Sequence, residues 1–313
     1  MKAFTLDSFD APPALRDDLP TPRPADDELL VRMQASAANP VDAAIAAGQL
    51  KDMVEHEFPV VLGRDYAGVV EQVGAGVTRY AAGDEVFGFV LHANPTVHDG
   101  SWAELIVVPE DNSVARRPAN VEPEAAGAAP LAGITALLCV DALAASEGDT
   151  VLVVGASGGV GSFAVQLLAH AGATVIAPGL PEDEEYLRDL GTTEVLDRSA
   201  DTAAAVRERY PDGVDALLDL VSYSPDDFNA NAAVLKDGGR GATPLSAAGD
   251  GPGRTNIMAV PSAENLERLA EVLDAGILSV HIQKSYPLEH VGDALEALGA
   301  THTQGKLGIQ VAS

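Results

Sequence analysis

Over the first third of the chain, apolar and polar positions alternate in short stretches. Leu29, Val31, Met33 and Ala35 fall on one side of an extended segment and Leu30, Arg32 and Gln34 on the other, the period-two pattern of a strand. Further short strands are predicted at residues 69–73, 85–90 and 104–108. Gly63, Gly68, Gly74, Gly76, Gly83 and Gly88 read as tight turns between them, as a small, strongly curved barrel requires. Pro12, Pro13, Pro20, Pro22 and Pro24 make the opening a turn-rich surface connection.

After about Asn120 the pattern changes. Residues 124–145 read as helix, and residues 150–154 form an unbroken apolar run, as in a strand buried on both faces. Strands are predicted at 174–177, 194–197, 215–220 and 240–243, separated by helices at 161–170, 184–190, 202–209 and 226–235. Such alternation gives a parallel, doubly wound sheet. The tail carries a helix at 264–275, a strand at 282–286, a helix near 291–298 and a last strand at 306–311, placed to return to the first domain. The expected organisation is an α/β chain with domain limits of 1–119, completed by 256–313, and 120–255. Its length of 313 residues exceeds the roughly 250 to 300 at which a single core stops growing.

Charge narrows the function classes. The 47 Asp and Glu against 19 Lys and Arg leave a formal net charge of −28, which repels nucleic acid phosphates and anionic lipid. Neither nucleic acid nor membrane is an expected partner. The acids recur along the whole chain, and the lysines are five: Lys2, Lys51, Lys236, Lys284 and Lys306. That is the surface expected of a halophilic protein, in which concentrated cations screen self-repulsion. No stretch offers the roughly 18 apolar residues of a membrane helix, and Met1 to Asp10 show no basic start followed by an apolar run, so a cytoplasmic location is expected. The single cysteine, Cys139, lies in an apolar run and reads as a packing residue.

The strongest local signal is the apolar strand running into Gly155, Ala156, Ser157, Gly158, Gly159, Val160 and Gly161, followed by the amphipathic segment 162–170. A pyrophosphate sits against unpaired amides at a helix N-terminus, where a side chain at Gly158 or Gly159 would hold it away. Gly161 would let the helix pack on the strand. Ala156 stands where the first glycine of the usual fingerprint is expected, but the flanking strand and helix supply the context that makes the motif a dinucleotide site. An acid holding the adenosine ribose should end the second strand, yet residues 174–177 run into Pro178, Gly179, Leu180 and Pro181 before Glu182. No Arg or Lys occurs in that turn, and Glu182 with Asp183 would repel a 2′-phosphate, which tilts the expectation to NADH over NADPH. Arg198, just after the third strand, could reach the same region, so the cofactor stays NADH or NADPH.

Several segments, in this order and spacing, resemble the medium-chain dehydrogenase/reductase superfamily, and within it the zinc-independent quinone oxidoreductases related to zeta-crystallin. They are NPVD at 39–42, LGRDYAG at 62–68, GDEVFG at 83–88, GSWAE at 100–104, PLAGITA at 130–136, the glycine turn, LKDGGR at 235–240, and Gly305 with Lys306. The resemblance covers nearly the whole chain. It implies a GroES-like barrel closed by the C-terminal segment, a Rossmann domain inserted between its parts, a cleft where nicotinamide meets substrate, and a homodimer paired through the edge of the Rossmann sheet. Zinc members place a cysteine in the segment matched by 39–42 and a histidine and glutamate in that matched by 63–68. Here Asn39, Arg64 and Asp65 stand instead, and an N/S tetrahedral site cannot form. The four-cysteine structural lobe is replaced by a short stretch around 91–100, whose His92 and His98 read as solvated surface. No metal is expected.

Without a Lewis acid, hydride transfer to an unactivated ketone is difficult, whereas quinones and enones delocalise the charge they receive. The resemblance therefore implies reduction of a quinone or conjugated enone by NAD(P)H. Asn39 is the first choice for a polar group beside nicotinamide and substrate, since its amide can donate to an oxyanion without titrating; the alternative is a turn residue before Pro40. Asp42, one turn on, is the second candidate, or else a cap. Thr135 resembles the family's threonine near the nicotinamide, or is a helix-interior hydroxyl. Many relatives carry tyrosines where this chain has Ala44, Ala47 and Leu50, which disfavours an enoyl-thioester reductase. Tyr66 could replace them only if turned into the pocket. A reductase or dehydrogenase of another activated carbonyl, and a non-catalytic dinucleotide-binding sensor, remain as alternatives.

Overall fold

The strand expected around Leu29 extends over Glu28–Ala38 and is the spine of the first sheet. The computed structural model describes residues 1–91, 96–300 and 302–311, and the chain divides into two units. The first comprises Met1–Leu131, Val260–Ala275 and Val280–Ser313. Its main sheet has the order Ala115–Arg116, Glu85–Phe89, Asp65–Val73, Glu28–Ala38, Lys306–Gln310, Ile282–Pro287, with Leu105–Pro109 also paired to Glu28–Ala38. The last strand runs antiparallel to Glu28–Ala38, with Leu307 opposite Ala38 and Gly308 opposite Ala37. Leu29, Val31, Met33, Tyr66, Val86 and Ile106 pack as one apolar cluster of this unit, and Phe4, Leu6, Ile45, Trp102 and Leu288 belong to another.

The second unit comprises Ala132–Ala259 and Gly276–Ser279. Six strands, all parallel, lie in the order Glu194–Asp197, Thr174–Gly179, Thr150–Val154, Val214–Asp219, Leu235–Thr243, Arg254–Asn256. Counted along the chain this is the doubly wound order 3-2-1-4-5-6, and the reversal between the first and fourth strands opens a crevice at their carboxyl ends. Leu152, Ile176, Val214 and Leu217 are buried in the core of this unit.

Several local expectations need correcting. Gly68 and Gly88 sit within strands rather than turns; a Cβ would lie 2.3 Å from the Arg32 carbonyl oxygen at Gly68 and 2.0 Å from that of Ser113 at Gly88, so close backbone approach explains both. The helix over 124–145 is two, Pro123–Ala128 and Pro130–Leu143, because Pro130 cannot continue the first and is tolerated at the start of the second. The helix expected to reach Leu235 ends at Ala232. Leu235 instead opens a strand opposite Val214, with a register shift before Arg240 and Gly238 at φ +79 within the irregularity. The proline-rich opening holds a strand, Ala14–Arg16, paired with Ala3–Leu6. Among the described residues no helix is long and apolar enough to cross a membrane.

Candidate active site

In the first unit the antiparallel register that sets Leu307 opposite Ala38 brings the next pair, Lys306 and Asn39, together at the strand ends. Asn39 is the N-cap of the helix Pro40–Ala46. Its Oδ1 accepts a hydrogen bond from Lys306 Nζ at 2.5 Å and its Nδ2 donates to Asp65 Oδ2 at 2.8 Å. Lys306 Nζ is also 3.4 Å from Asp65 Oδ2. The other Asp65 oxygen accepts from the Leu131 N–H at 2.7 Å. Asp42 turns back to accept from the Asn39 N–H at 2.8 Å, one arm of a capping box. Its Oδ1 lies 3.5 Å from Arg64 Nε.

Asp42, Arg64 and Asp65 are fully buried, and Asn39 and Lys306 are 4% and 3% exposed. Burial pushes the Asp42 carboxyl up to about 6, opposed chiefly by the Arg64 guanidinium and the Asn39 N–H. Burial likewise raises Asp65, against the pull of Lys306 and Asn39, and lowers Arg64, against the pull of Asp42. The cluster pairs two basic with two acidic side chains, Arg64 with Asp42 and Lys306 with Asp65. Tyr66 is turned inward, but its hydroxyl donates to the Ser113 carbonyl at 2.7 Å and burial holds its pKa well above the usual value. Its hydroxyl hydrogen is committed to that carbonyl.

In the second unit the turn after Thr150–Val154 begins with Gly155 at φ +89, where a Cβ would lie 2.9 Å from Val221 Cγ1. The Gly158 N–H donates to the Gly155 carbonyl at 3.3 Å, and Gly158 is the N-cap of Gly159–His170, with no side chain bonded as the cap. A Cβ at Gly161 would lie 2.2 Å from the Gly155 oxygen and 2.6 Å from Ala156 Cα; at Gly158 it would meet only the Gly155 oxygen, at 3.7 Å. Gly161 is therefore required by packing, whereas Gly158 leaves open space in front of amides that have no intrahelical acceptor. Ala156 is fully buried, Ser157 nearly so, and Val160 half-buried. Asp219, which ends the fourth strand, accepts from the Val221 and Ser222 N–H groups at 3.0 Å each and fixes the neighbouring wall of the crevice. Sequence reasoning gave it no role.

The pattern of the alcohol dehydrogenase GroES-like domain matches residues 25–119, and that of the zinc-binding dehydrogenase domain matches 190–307. A chloroplast envelope quinone oxidoreductase homolog of Arabidopsis thaliana is 30% identical over 93% of this chain and 92% of its own. An NADPH-dependent alkenal/one oxidoreductase from the chloroplast of the same plant is 30% identical over 98% of this chain and 78% of its own. The solved quinone oxidoreductase of Coxiella burnetii is 27% identical, covers 100% of this chain and 99% of its own, and superposes with a TM-score of 0.88. The chain belongs to the quinone oxidoreductase family of the medium-chain dehydrogenase/reductase superfamily. It is an oxidoreductase with the expected GroES-like and Rossmann folds.

Measured against the zinc members of that superfamily, the segments that would carry ligands hold the Asn39, Arg64 and Asp65 cluster. An amide bonded on both sides and a buried guanidinium do not fit a zinc ion. Among the described residues no three His, Cys, Asp or Glu side chains are arranged to hold a metal. His98 Nδ1 is 3.0 Å from the Glu57 carbonyl oxygen, and His92 lies outside the described residues. Cys139 is buried, and burial pushes its thiol up to about 12.

The remaining expected residues lie in the second unit. Thr135 is buried within the helix Pro130–Leu143. Asp183 is fully buried, and its Oδ2 accepts from the Leu180 N–H at 3.0 Å, so it does not face solvent beyond the second strand, whereas Glu182 is exposed. Arg198 is exposed and its N–H donates to the Gly179 carbonyl at 3.0 Å. That bond places the Arg198 backbone at the carboxyl end of the second strand. The lean towards NADH counted Asp183 and Glu182 together; only Glu182 faces outward.

Proposed function

We propose that the protein passes hydride from a reduced nicotinamide dinucleotide to a quinone, or to an alkene conjugated with a carbonyl, without a metal ion. The observation that carries this reading is the uncapped helix N-terminus behind the glycine turn, set at the strand-order reversal of a six-stranded parallel sheet in a chain of this family. When bound, the dinucleotide supplies the hydride. The first-turn amides of Gly159–His170 hold its pyrophosphate, as the open space at Gly158 permits, and Gly155, Ala156, Ser157, Val160 and Gly161 shape that turn. Thr135 would contact the nicotinamide, as the family resemblance implies. Arg198 pairs with a 2′-phosphate, which makes NADPH the preferred reductant. Asn39 donates its second Nδ2 hydrogen to the substrate oxygen as negative charge develops there, and Asp42 acts as cap and counter-ion to Arg64.

The test is the loss of reduced-nicotinamide absorbance when NADPH or NADH is mixed with the protein and a small benzoquinone or an alkenal in concentrated KCl, with and without a chelator. Rapid, chelator-insensitive oxidation is expected. Turnover with some other carbonyl alone would change the substrate class, and cofactor binding without turnover with any acceptor would overturn the reading in favour of a sensor.

The same reading includes a cytoplasmic, halophilic homodimer. Among the described residues Arg254–Asn256 pairs only with Leu235–Thr243, and Met258 just beyond it is 79% exposed, which supports pairing along that edge. Light scattering in high salt should give twice the chain mass. The melting temperature should rise with KCl as the −28 net charge is screened.

A further inference from the structure

Asn39 is held by two ionised groups of opposite sign. An ammonium can only donate and a carboxylate can only accept. With Lys306 Nζ on Oδ1 and Asp65 Oδ2 on Nδ2, the carboxamide has one allowed orientation. The flipped amide would set its NH2 against the ammonium and its oxygen against the carboxylate. Lys306 is itself fixed by the backbone. Its N–H donates to the His281 carbonyl at 2.9 Å, and Gly305 before it has φ +69, with room for a Cβ denied by the same His281 oxygen at 2.3 Å.

We infer that Lys306 is a positioning residue for the proposed reaction, fixing the Asn39 carboxamide and strengthening its unshared Nδ2 hydrogen as a donor to the substrate oxyanion. The inference rests on the reading of Asn39 as that donor. The physical basis is polarisation: a cation on the amide oxygen draws electron density from the nitrogen, and in a low-dielectric surrounding linked hydrogen bonds reinforce one another. Lys306 is 3% exposed and acts on the reacting atoms only through Asn39.

The experiment measures kcat and KM with NADPH and a benzoquinone for the whole protein, Asn39→Ala, Lys306→Met and the double variant. Lys306→Met is expected to lower kcat roughly tenfold, less than the roughly hundredfold to thousandfold lost when an oxyanion donor is removed outright, with the KM for NADPH unchanged. In the Asn39→Ala background it should cost nothing more, because residues acting as a unit are non-additive. Asp65→Asn with Lys306→Met removes both charges, leaves no unpaired ion in the interior, and should fold and show the same loss if Lys306→Met alone does not fold. The inference is overturned if kcat survives loss of the ammonium while Asn39→Ala lowers it, or if the losses multiply. An unchanged kcat in Asn39→Ala would instead sink the underlying reading, and the inference with it.

Discussion

The two units build their candidate sites by opposite means. In the first, Asp42, Arg64, Asp65 and Lys306 are ionisable side chains taken out of water and paired with one another around Asn39. In the second, the turn from Gly155 to Gly161 is defined by what it lacks, since side chains are missing where backbone approaches backbone at Gly161 and, in the function proposed, where a phosphate would approach Gly158. A site made of buried charges is sensitive to the loss of any one partner. A site made of absent side chains is sensitive to additions, and only where the added atom meets something.

The sharpest break of that comparison is within the turn. Gly161→Val adds atoms where even a Cβ lies 2.2 Å from a carbonyl oxygen, and the expected result is failure to give a folded, soluble protein, read by circular dichroism. Gly158→Ala puts its Cβ no nearer than 3.7 Å to its neighbour and should melt at the same temperature as the unaltered protein. Its dissociation constant for NADPH should nevertheless rise about tenfold, since the methyl group displaces the phosphate from the helix amides. Equal effects at the two glycines would show that the turn is shaped by packing alone.

The charged cluster makes the contrary prediction, that subtraction is costly. Arg64→Met leaves Asp42 buried without its paired guanidinium and should cost about 3 to 5 kcal/mol at neutral pH, as broken buried pairs do. Adding Asp42→Asn should recover a large part of it. Denaturant titration of the single and double variants measures both. A single variant as stable as its parent would mean that water reaches the cluster.

How legible each site was follows from the same contrast. The glycine turn could be read directly, because strand, turn and helix are contiguous and the chemistry lies in the backbone. Asn39 and Asp42 were picked out as a pair, but the partners that define them were not. Asp65 is 26 residues from Asn39 and Lys306 is 267 away, and only the pairing of Lys306–Gln310 with Glu28–Ala38 makes them neighbours. Lys306 did carry a signal, as one of five lysines in a chain of net charge −28 entering a predicted strand after a glycine. Gly68 and Gly88 were misread as turns because composition does not distinguish a glycine that bends the chain from one that lets two strands touch. The sixth parallel strand, Arg254–Asn256, was invisible among Gly249, Gly251 and Gly253, since three residues carry no period.

A smaller effect concerns the pH dependence of Asp42. The Asp42 carboxyl is raised by burial to about 6, so between its unfolded value and that point the folded protein holds the extra proton. Its contribution to stability is accordingly full in acid and lost as pH rises through about 6, the reverse of a carboxylate held down by a partner. The stability of the parent relative to Asp42→Asn should therefore fall between pH values of about 4 and 7, by up to about 3 kcal/mol. A difference that grows over this range would mean that Arg64 outweighs desolvation.

The smallest effect concerns the place where the second unit departs from its own rule. At the carboxyl end of its second strand the candidate ligand is a side chain, Arg198, anchored by its N–H to Gly179, and Asp183 is turned away to cap Leu180. An exposed guanidinium facing a phosphate makes a charge-assisted contact that survives partial screening by salt. Arg198→Ala should raise the KM for NADPH about tenfold and leave that for NADH unchanged, because only the phosphorylated ribose meets the cation. The ratio should narrow in concentrated KCl for the unaltered protein and stay flat for the variant. If the two cofactors respond alike to Arg198→Ala, the second unit selects its ligand by backbone alone, and the contrast with the first unit becomes complete.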